Sequence, residues 1–304
     1  LDKPQGLGAQ IVSVLVKETV NLEEQWQKIH ELVGNNALFN SVRRSVSLMQ
    51  LTEGYKPMIA ALQLGEVSDT AAMLADLVKH DSQQWIDLAT QWGAPSSITA
   101  ESDEERTTIY GRQLAQKIEL MHPAPYVQYR VLTNQIPVVG ERKEWLLTFL
   151  NANPGMRIKD GSVLVWLNSD KVQYGDLSEA QIKQITPDVL RFERVGKLVR
   201  SLEHLGPILK LGYESARDIV LNRAREVFVD EIKDVITNKI EAAQIYDTAS
   251  GVVATTEALV LMYSPHFGGA NLPVMASVRY LTGTESLIQS ANLQLLFCSQ
   301  DYCE

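Results

Sequence analysis

Residues 102–123, SDEERTTIYGRQLAQKIELMHP, carry the clearest folding signal in the chain. Ser102 and Glu105 have the spacing of a capping box, in which two side chains bind backbone N–H groups at the start of a helix. The apolar residues that follow recur at helical spacing, at Tyr110, Leu114, Ile118 and Met121. Pro123 marks the helix end, because proline inside a helix costs about 3 kcal/mol. The stretch therefore predicts one long amphipathic helix.

Similar signals recur on both sides of this stretch and predict further helices. The predicted starts are Asn21 with Glu24, Ser68, Asp81, and Thr186 with Pro187 at the first helical position. The helix after Pro187 should carry apolar side chains on one face until Gly206-Pro207 ends it, at Val195, Leu198, Val199 and Leu202. The segment from Ser162 to Leu167 is compatible with a short strand or a helical turn, and we favour the helix.

The longest helix is predicted from about Asn238 to Tyr263. Its predicted inward face consists of Ile240, Ala243, Tyr246, Val253 and Leu261. Strict alternation of apolar and polar residues is nearly absent from the chain, which disfavours strands. We therefore predict an all-α protein, an irregular array of short helices and helical hairpins. Two helical subdomains are expected, 1–100 and 101–304, the second continuing into a missing C-terminal region.

The composition of the chain limits its partners. The 304 residues include 28 basic and 37 acidic side chains, which give a net charge of -9. This charge repels phosphate backbones and anionic lipids, so we expect no nucleic-acid partner. No apolar run approaches the roughly 18 residues that a membrane-spanning helix needs, so we expect no membrane insertion by this segment.

The two ends suggest that the sequence is a piece of a longer chain. It begins with Leu1 rather than Met, and its two cysteines, Cys298 and Cys303, crowd into the final stretch beside an apolar run. A disulfide framework for the body of the protein is excluded by this count. The spacing of the two cysteines leaves their pairing open, and we expect free thiols.

Signals for catalysis or metal binding are weak. The five histidines lie far apart and none has a metal-ligand spacing, at His30, His80, His122, His204 and His266. A nucleophile elbow, a P-loop and a complete dinucleotide-binding glycine motif are all missing from the sequence. We therefore predict no catalytic residue, no metal and no cofactor, and we predict that the chain is not an enzyme.

One basic face stands out in this acidic sequence. Arg191, Arg194, Lys197 and Arg200 fall on one side of a predicted helix, and Arg217, Arg223 and Arg225 cluster soon after. The first four are either a solvated face that forms salt bridges or a surface that binds an anionic partner. They form the candidate interaction face.

Several strings in the sequence resemble the A component of bacterial toxin complexes (Tc toxins) and the related Salmonella virulence plasmid A proteins. Residues 51–62 with Asp81 and Trp85 resemble a segment of these proteins in which a proline-led helix precedes D-x-x-x-W. Residues 110–123 look like their YA-x-x-L-x-x-x-IE-x-x-x-P segment. Residues 149–155 are similar to the start of their FL-x-NNP-x-F string, in which Met156 here replaces the final aromatic residue. Residues 211–220 resemble a G-x-x-SA-x-x-I element, which Phe228 follows.

The end of the chain carries the most specific likeness. Leu296, Phe297, Ser299 and residues 301–304 resemble the LFGS-x-DYCEC junction of the family, although Cys298 stands where the family has glycine. Such proteins form a homopentameric, bell-shaped shell around a toxin translocation channel. The resemblance implies a non-catalytic helical shell segment that contacts other domains of the same chain and its homo-oligomer, with a host surface receptor as a further expected partner. It also implies a secreted or cell-surface bacterial protein.

Two other functions stay open from the residues alone. The first is a helical hydrolase with an unrecognised site, which should show converging polar groups in a concave site. The second is a stand-alone helical scaffold that binds other proteins. A sialidase is disfavoured, because the sequence lacks S-x-D-x-G-x-x-W boxes and the strands that would carry them.

Overall fold

The computed structural model describes residues 6–16, 22–63, 76–159, 161–221, 223–236 and 238–263. Every regular element in these residues is helical, so the all-α prediction is confirmed. None of their helices combines the length and the hydropathy needed to cross a bilayer. The chain divides into two compact units, Leu1–Ile118 and Glu119–Glu304, whereas the sequence suggested a boundary between residues 100 and 101.

The first unit contains five helices and most of a sixth within its described residues. They are α1 (Leu7–Leu15), α2 (Leu22–Val33), α3 (Asn36–Thr52), α4 (Lys56–Gln63), α5 (Ser82–Trp92) and α6 (Asp103–Met121). The predicted cap at Asp81 is confirmed, because its carboxylate accepts a hydrogen bond from Gln84 N–H and the Gln84 side chain binds the Asp81 N–H in return. The predicted starts at Asn21 and Ser68 lie outside the described residues.

The long helix α6 packs against α5 at unusually close range. Trp85 on α5 and Tyr110, Leu114 and Ile118 on α6 are all buried, as the apolar stripe of α6 predicted. A side chain at Gly111 would place its Cβ 2.5 Å from the Ile86 Cα atom, so glycine is what allows this approach. Real Cβ contacts to backbone atoms do not reach that distance, and the two helices therefore meet backbone to backbone.

The second unit contains the remaining helices. They are α7 (Pro123–Leu132), α8 (Arg142–Ala152), α9 (Val163–Leu167), α10 (Glu179–Gly196), η1 (Leu202–His204, a 3₁₀ helix), α11 (Leu205–Lys210), α12 (Ala216–Val220), α13 (Arg225–Glu231) and α14 (Lys239–Tyr263). The helical choice for Ser162 to Leu167 is confirmed, and the Ser162 hydroxyl caps α9 by accepting from Val165 N–H.

The predicted start of α10 at Thr186-Pro187 is wrong. The helix begins at Glu179, after a capping box formed by Ser178 and Gln181, and Pro187 lies inside it. The prediction gave the cost of an internal proline too much weight. Two helical turns precede Pro187, and the buried apolar face of the helix spans it, which outweighs the lost backbone hydrogen bond. The helix also ends earlier than predicted, at Gly196, and Gly206-Pro207 lies within α11.

The extent of α14 is confirmed, but its predicted inward face is partly wrong. Ile240 is 70% exposed, and the buried face instead runs through Ala242, Ile245 and Ala249. Ala243 is buried as predicted, Tyr246 and Val253 are half-buried, and the side chain of Leu261 lies outside the description. This helix packs against the short helices α12 and α13, and small alanine side chains supply much of its buried face, which hydrophobicity alone did not indicate.

Asn153, at the end of α8, ties a distant loop to the helix. Its side-chain amide donates to the carbonyls of Phe149 (2.8 Å) and Gln173 (2.6 Å), and its Oδ1 accepts from Gln173 N–H at 2.9 Å. The buried asparagine therefore satisfies backbone groups of a segment twenty residues away in sequence. This geometry needs both the donor and the acceptor of an amide.

We expect Asn153→Ala to lower the free energy of unfolding by about 2 kcal/mol, because it leaves buried backbone groups without partners. The exposed Asn151, two residues earlier on the same helix, provides the control, and Asn151→Ala should change stability by less than about 0.5 kcal/mol. Urea unfolding followed by circular dichroism measures both. Equal midpoints for the two variants would show that water replaces the Asn153 side chain without cost.

Candidate functional site

The predicted interaction face does not lie on a single helix. Arg191 and Arg194 belong to α10, but Lys197 is the residue that caps its C-terminal end and Arg200 follows the helix. This part of the prediction is wrong because α10 ends at Gly196, four residues before Arg200. The four cations therefore have different neighbours.

Arg191 makes its polar contacts inside the second unit. Its side chain is only 14% exposed, and its guanidinium contacts Asp188 Oδ1 and Glu214 Oε1, both at 2.9 Å. It also donates to the Pro137 carbonyl at 2.6 Å. Arg191 thereby joins α10 to two loops, one before α8 and one before α12. Its charge is neutralised by neighbouring carboxylates and is mostly shielded from solvent.

Asp188 is the buried partner in this network. Its carboxylate is almost fully buried and lies between Arg191 and Arg142, whose guanidinium is 3.2 Å from Asp188 Oδ2. Burial raises the pKa of Asp188 above its ordinary value, and the two arginines oppose that rise. A buried carboxylate between two guanidinium groups is a compensated charge, and removing one partner leaves it partly uncompensated.

The other three cations are only partly available for a partner. Arg194 Nε donates to the Glu214 carbonyl at 3.3 Å, and Lys197 Nζ lies 2.5 Å from the buried Glu193 Oε1. Arg200 is exposed. The interpretation of these residues as a salt-bridging face therefore agrees better with the structure than the interpretation as an anion-binding surface, since Arg191 and Lys197 pair with carboxylates and Arg194 donates to a carbonyl of the same unit.

We expect Arg191→Ala to lower the free energy of unfolding by about 2 kcal/mol, because it leaves Asp188 with one cationic partner and frees the Pro137 carbonyl. The matched control is Arg200→Ala, which removes an exposed cation and should change stability by less than about 0.5 kcal/mol. Urea denaturation measures both. A loss for Arg200→Ala as large as that for Arg191→Ala would contradict the division between internal and exposed cations.

A buried carboxylate contact in the second unit was not predicted from the sequence. Glu119, near the end of α6, is 2% exposed, and its carboxylate accepts hydrogen bonds from Ser201 Oγ and from the Leu202 backbone N–H, both at 2.7 Å. Ser201 is the N-cap of η1 and also accepts from Glu203 N–H. Glu119 thus supplies an acceptor to the start of a helix that lies 82 residues further along the chain.

The environment of Glu119 favours its neutral form. Burial raises the pKa of Glu119 above its ordinary value, while the hydrogen bonds from Ser201 and Leu202 and the charge of Lys159 oppose that rise. Because desolvation is the largest of these effects, the net direction is upward. The stripe pattern of α6 does not indicate the partners of this glutamate, although Glu119 stands at the glutamate of the IE pair in the string that resembles the toxin family.

Arg130, on α7, is a second buried charged residue. The Arg130 guanidinium lies 4.7 Å from the centre of the Tyr126 ring and donates to Tyr126 Oη at 3.0 Å. It also donates to Gln135 Oε1 at 2.7 Å, and the Arg130 carbonyl accepts from Gln135 N–H and Ile136 N–H. These contacts fix the turn that follows α7, so Arg130 serves the backbone of its own unit.

Ser201, His204 and Glu241 contain the residue types of a hydrolytic triad. His204 Nδ1 lies 3.1 Å from Glu241 Oε1, the contact that an orienting carboxylate would make. However, the Ser201 hydroxyl donates its proton to Glu119, and its oxygen accepts the capping hydrogen bond from Glu203 N–H. A nucleophilic serine needs a base at its proton and access to substrate. Ser201 is buried and directed at a carboxylate that caps a helix.

The arginine cluster predicted after α10 forms a further set of internal contacts. Arg223 donates to Tyr213 Oη and to Glu231 Oε2, and Tyr213 Oη lies 2.6 Å from the same carboxylate oxygen. Burial, followed by the hydrogen bond with Glu231, raises the pKa of Tyr213 to about 12. Arg225 forms a two-point ion pair with Asp247 on α14, with both contacts at 2.7 Å.

The described residues contain no group of three histidine, cysteine, aspartate or glutamate side chains that could hold a metal ion. His266, Cys298 and Cys303 lie outside these residues. Comparisons with protein-family models, with curated proteins and with solved structures find no match to the chain.

Proposed function

We propose that this chain is a non-catalytic helical shell segment of a virulence protein similar to the A component of bacterial toxin complexes. In this role it encloses or supports a toxin translocation channel. Its partners are other domains of the same longer chain and further copies of that chain, in a protein that is secreted or held at the bacterial surface. The all-helical architecture of the described residues supports the proposal.

One observation carries the proposal: several described residues of the strings that carry the resemblance make contacts inside their own unit. Tyr110 donates its hydroxyl to the Thr52 carbonyl at 3.1 Å, in the first unit. In the second unit, Glu119 caps η1, and Asn153 ties Gln173 to α8. Residues that recur in a family because they hold helices together are what a structural module needs, whereas an enzyme family would also share groups that face a substrate.

Two more residues of the resembling strings have the same kind of role. Ser215 caps α12 by accepting from Asp218 N–H, and Phe228 is buried with its ring 5.3 Å from that of Tyr213 and 5.9 Å from that of Tyr246. The three carboxylates buried in the described residues, Glu119, Asp188 and Glu193, also bind neighbouring chain groups. Each of these acids therefore has its partners within the second unit.

The decisive experiment places the segment in the natural full-length protein. We expect that protein to form a large closed ring of identical subunits, with a bound antibody fragment against residues 82–132 appearing on its outer surface in electron micrographs. A full-length protein that stays monomeric would favour a stand-alone scaffold. A ring with the antibody fragment on the channel axis would contradict the shell role specifically.

The rival hydrolase is tested at its best-placed serine. A fluorophosphonate probe labels activated serines, and we expect no labelling of Ser201, because its hydroxyl is buried and donates to Glu119. Ser201→Ala identifies any signal from this residue. Stoichiometric labelling of the parent protein that disappears in the Ser201→Ala variant would overturn the non-catalytic assignment.

A further inference from the structure

We draw no further inference here: the strongest candidate, the exposed apolar side chains of Leu132 at the end of α7 (57% exposed) and Val139 in the loop that follows (73% exposed), carries nothing because nothing in the structure shows what covers them.

Discussion

The Glu119→Ala variant should lose about 3 kcal/mol of unfolding free energy, one of the two largest effects that we expect from a single substitution in this chain. The change removes the acceptor of the Leu202 N–H and of the Ser201 hydroxyl, and both groups are buried. It also leaves a cavity of the size of a carboxymethyl group between α6 and η1. Guanidinium unfolding of the purified protein measures the loss.

Glu119→Gln is the matched control, because it keeps the shape and removes the charge. Its amide oxygen can accept from Leu202 N–H, and its amide nitrogen can donate to Ser201 Oγ after the hydroxyl rotates. At neutral pH we expect the free energy of unfolding of the glutamine variant to lie no more than about 1 kcal/mol below that of the parent protein. A loss equal to that of Glu119→Ala would show that the charge itself is required.

The same pair of proteins gives a pH dependence with a definite sign. Burial raises the pKa of Glu119, so the folded protein holds this proton over a range in which the unfolded chain has released it. Its stabilising contribution is complete below the unfolded pKa and is lost as the pH rises through the folded pKa. The stability of Glu119→Gln relative to the parent should therefore increase from acidic to neutral pH. A decrease over that range would contradict the stated direction of the pKa shift.

The Gly111→Ala variant should lose about 3 kcal/mol as well, for a steric reason. The new methyl group would lie 2.5 Å from the Ile86 Cα atom and 2.7 Å from its backbone nitrogen. Backbone atoms cannot move aside as the end of a side chain can, so α5 and α6 would have to separate. Thermal and urea unfolding should both show the loss.

Gly251→Ala is the control for Gly111→Ala, since both glycines lie inside long helices. A Cβ atom at Gly251 would meet no atom within 4 Å. The substitution should therefore stabilise the protein by up to about 1 kcal/mol, which is the difference in helix propensity between glycine and alanine. If both substitutions changed stability in the same direction, close packing at Gly111 would not be the cause.

The sequence was sufficient for features that depend on neighbouring residues. Asp81 caps α5 and Ser162 caps α9, because a side-chain oxygen needs only the backbone N–H groups two or three residues ahead of it. The start of α14 was predictable for the same reason, since Asn238 Oδ1 accepts a hydrogen bond from Ile240 N–H. The predicted start of α10 at Thr186-Pro187 was wrong, because the burial of a whole helix face outweighed the local preference of proline for the first helical position.

The sequence was not sufficient where a side chain is paired with a distant segment. Nothing near Arg191 indicates that its guanidinium reaches the Pro137 carbonyl and Glu214, and nothing near Glu119 indicates Ser201. The basic face was therefore predicted as a surface, although its first member is mostly buried. Ile240 shows the same limit, since hydrophobicity alone assigned it to the wrong side of α14.

The contact between Glu119 and residues 201–202 also has a consequence for synthesis of the protein. A ribosome that adds roughly 5–20 residues per second needs about 4–16 s to make the chain between these partners. During that time the Glu119 carboxylate is hydrated and ionised, and the end of α6 lacks the contact that buries it. Nascent chains that stop before Ser201 should therefore be more sensitive to protease near Met121 than chains that extend through η1, because the second unit can close around Glu119 only after its partners have been made.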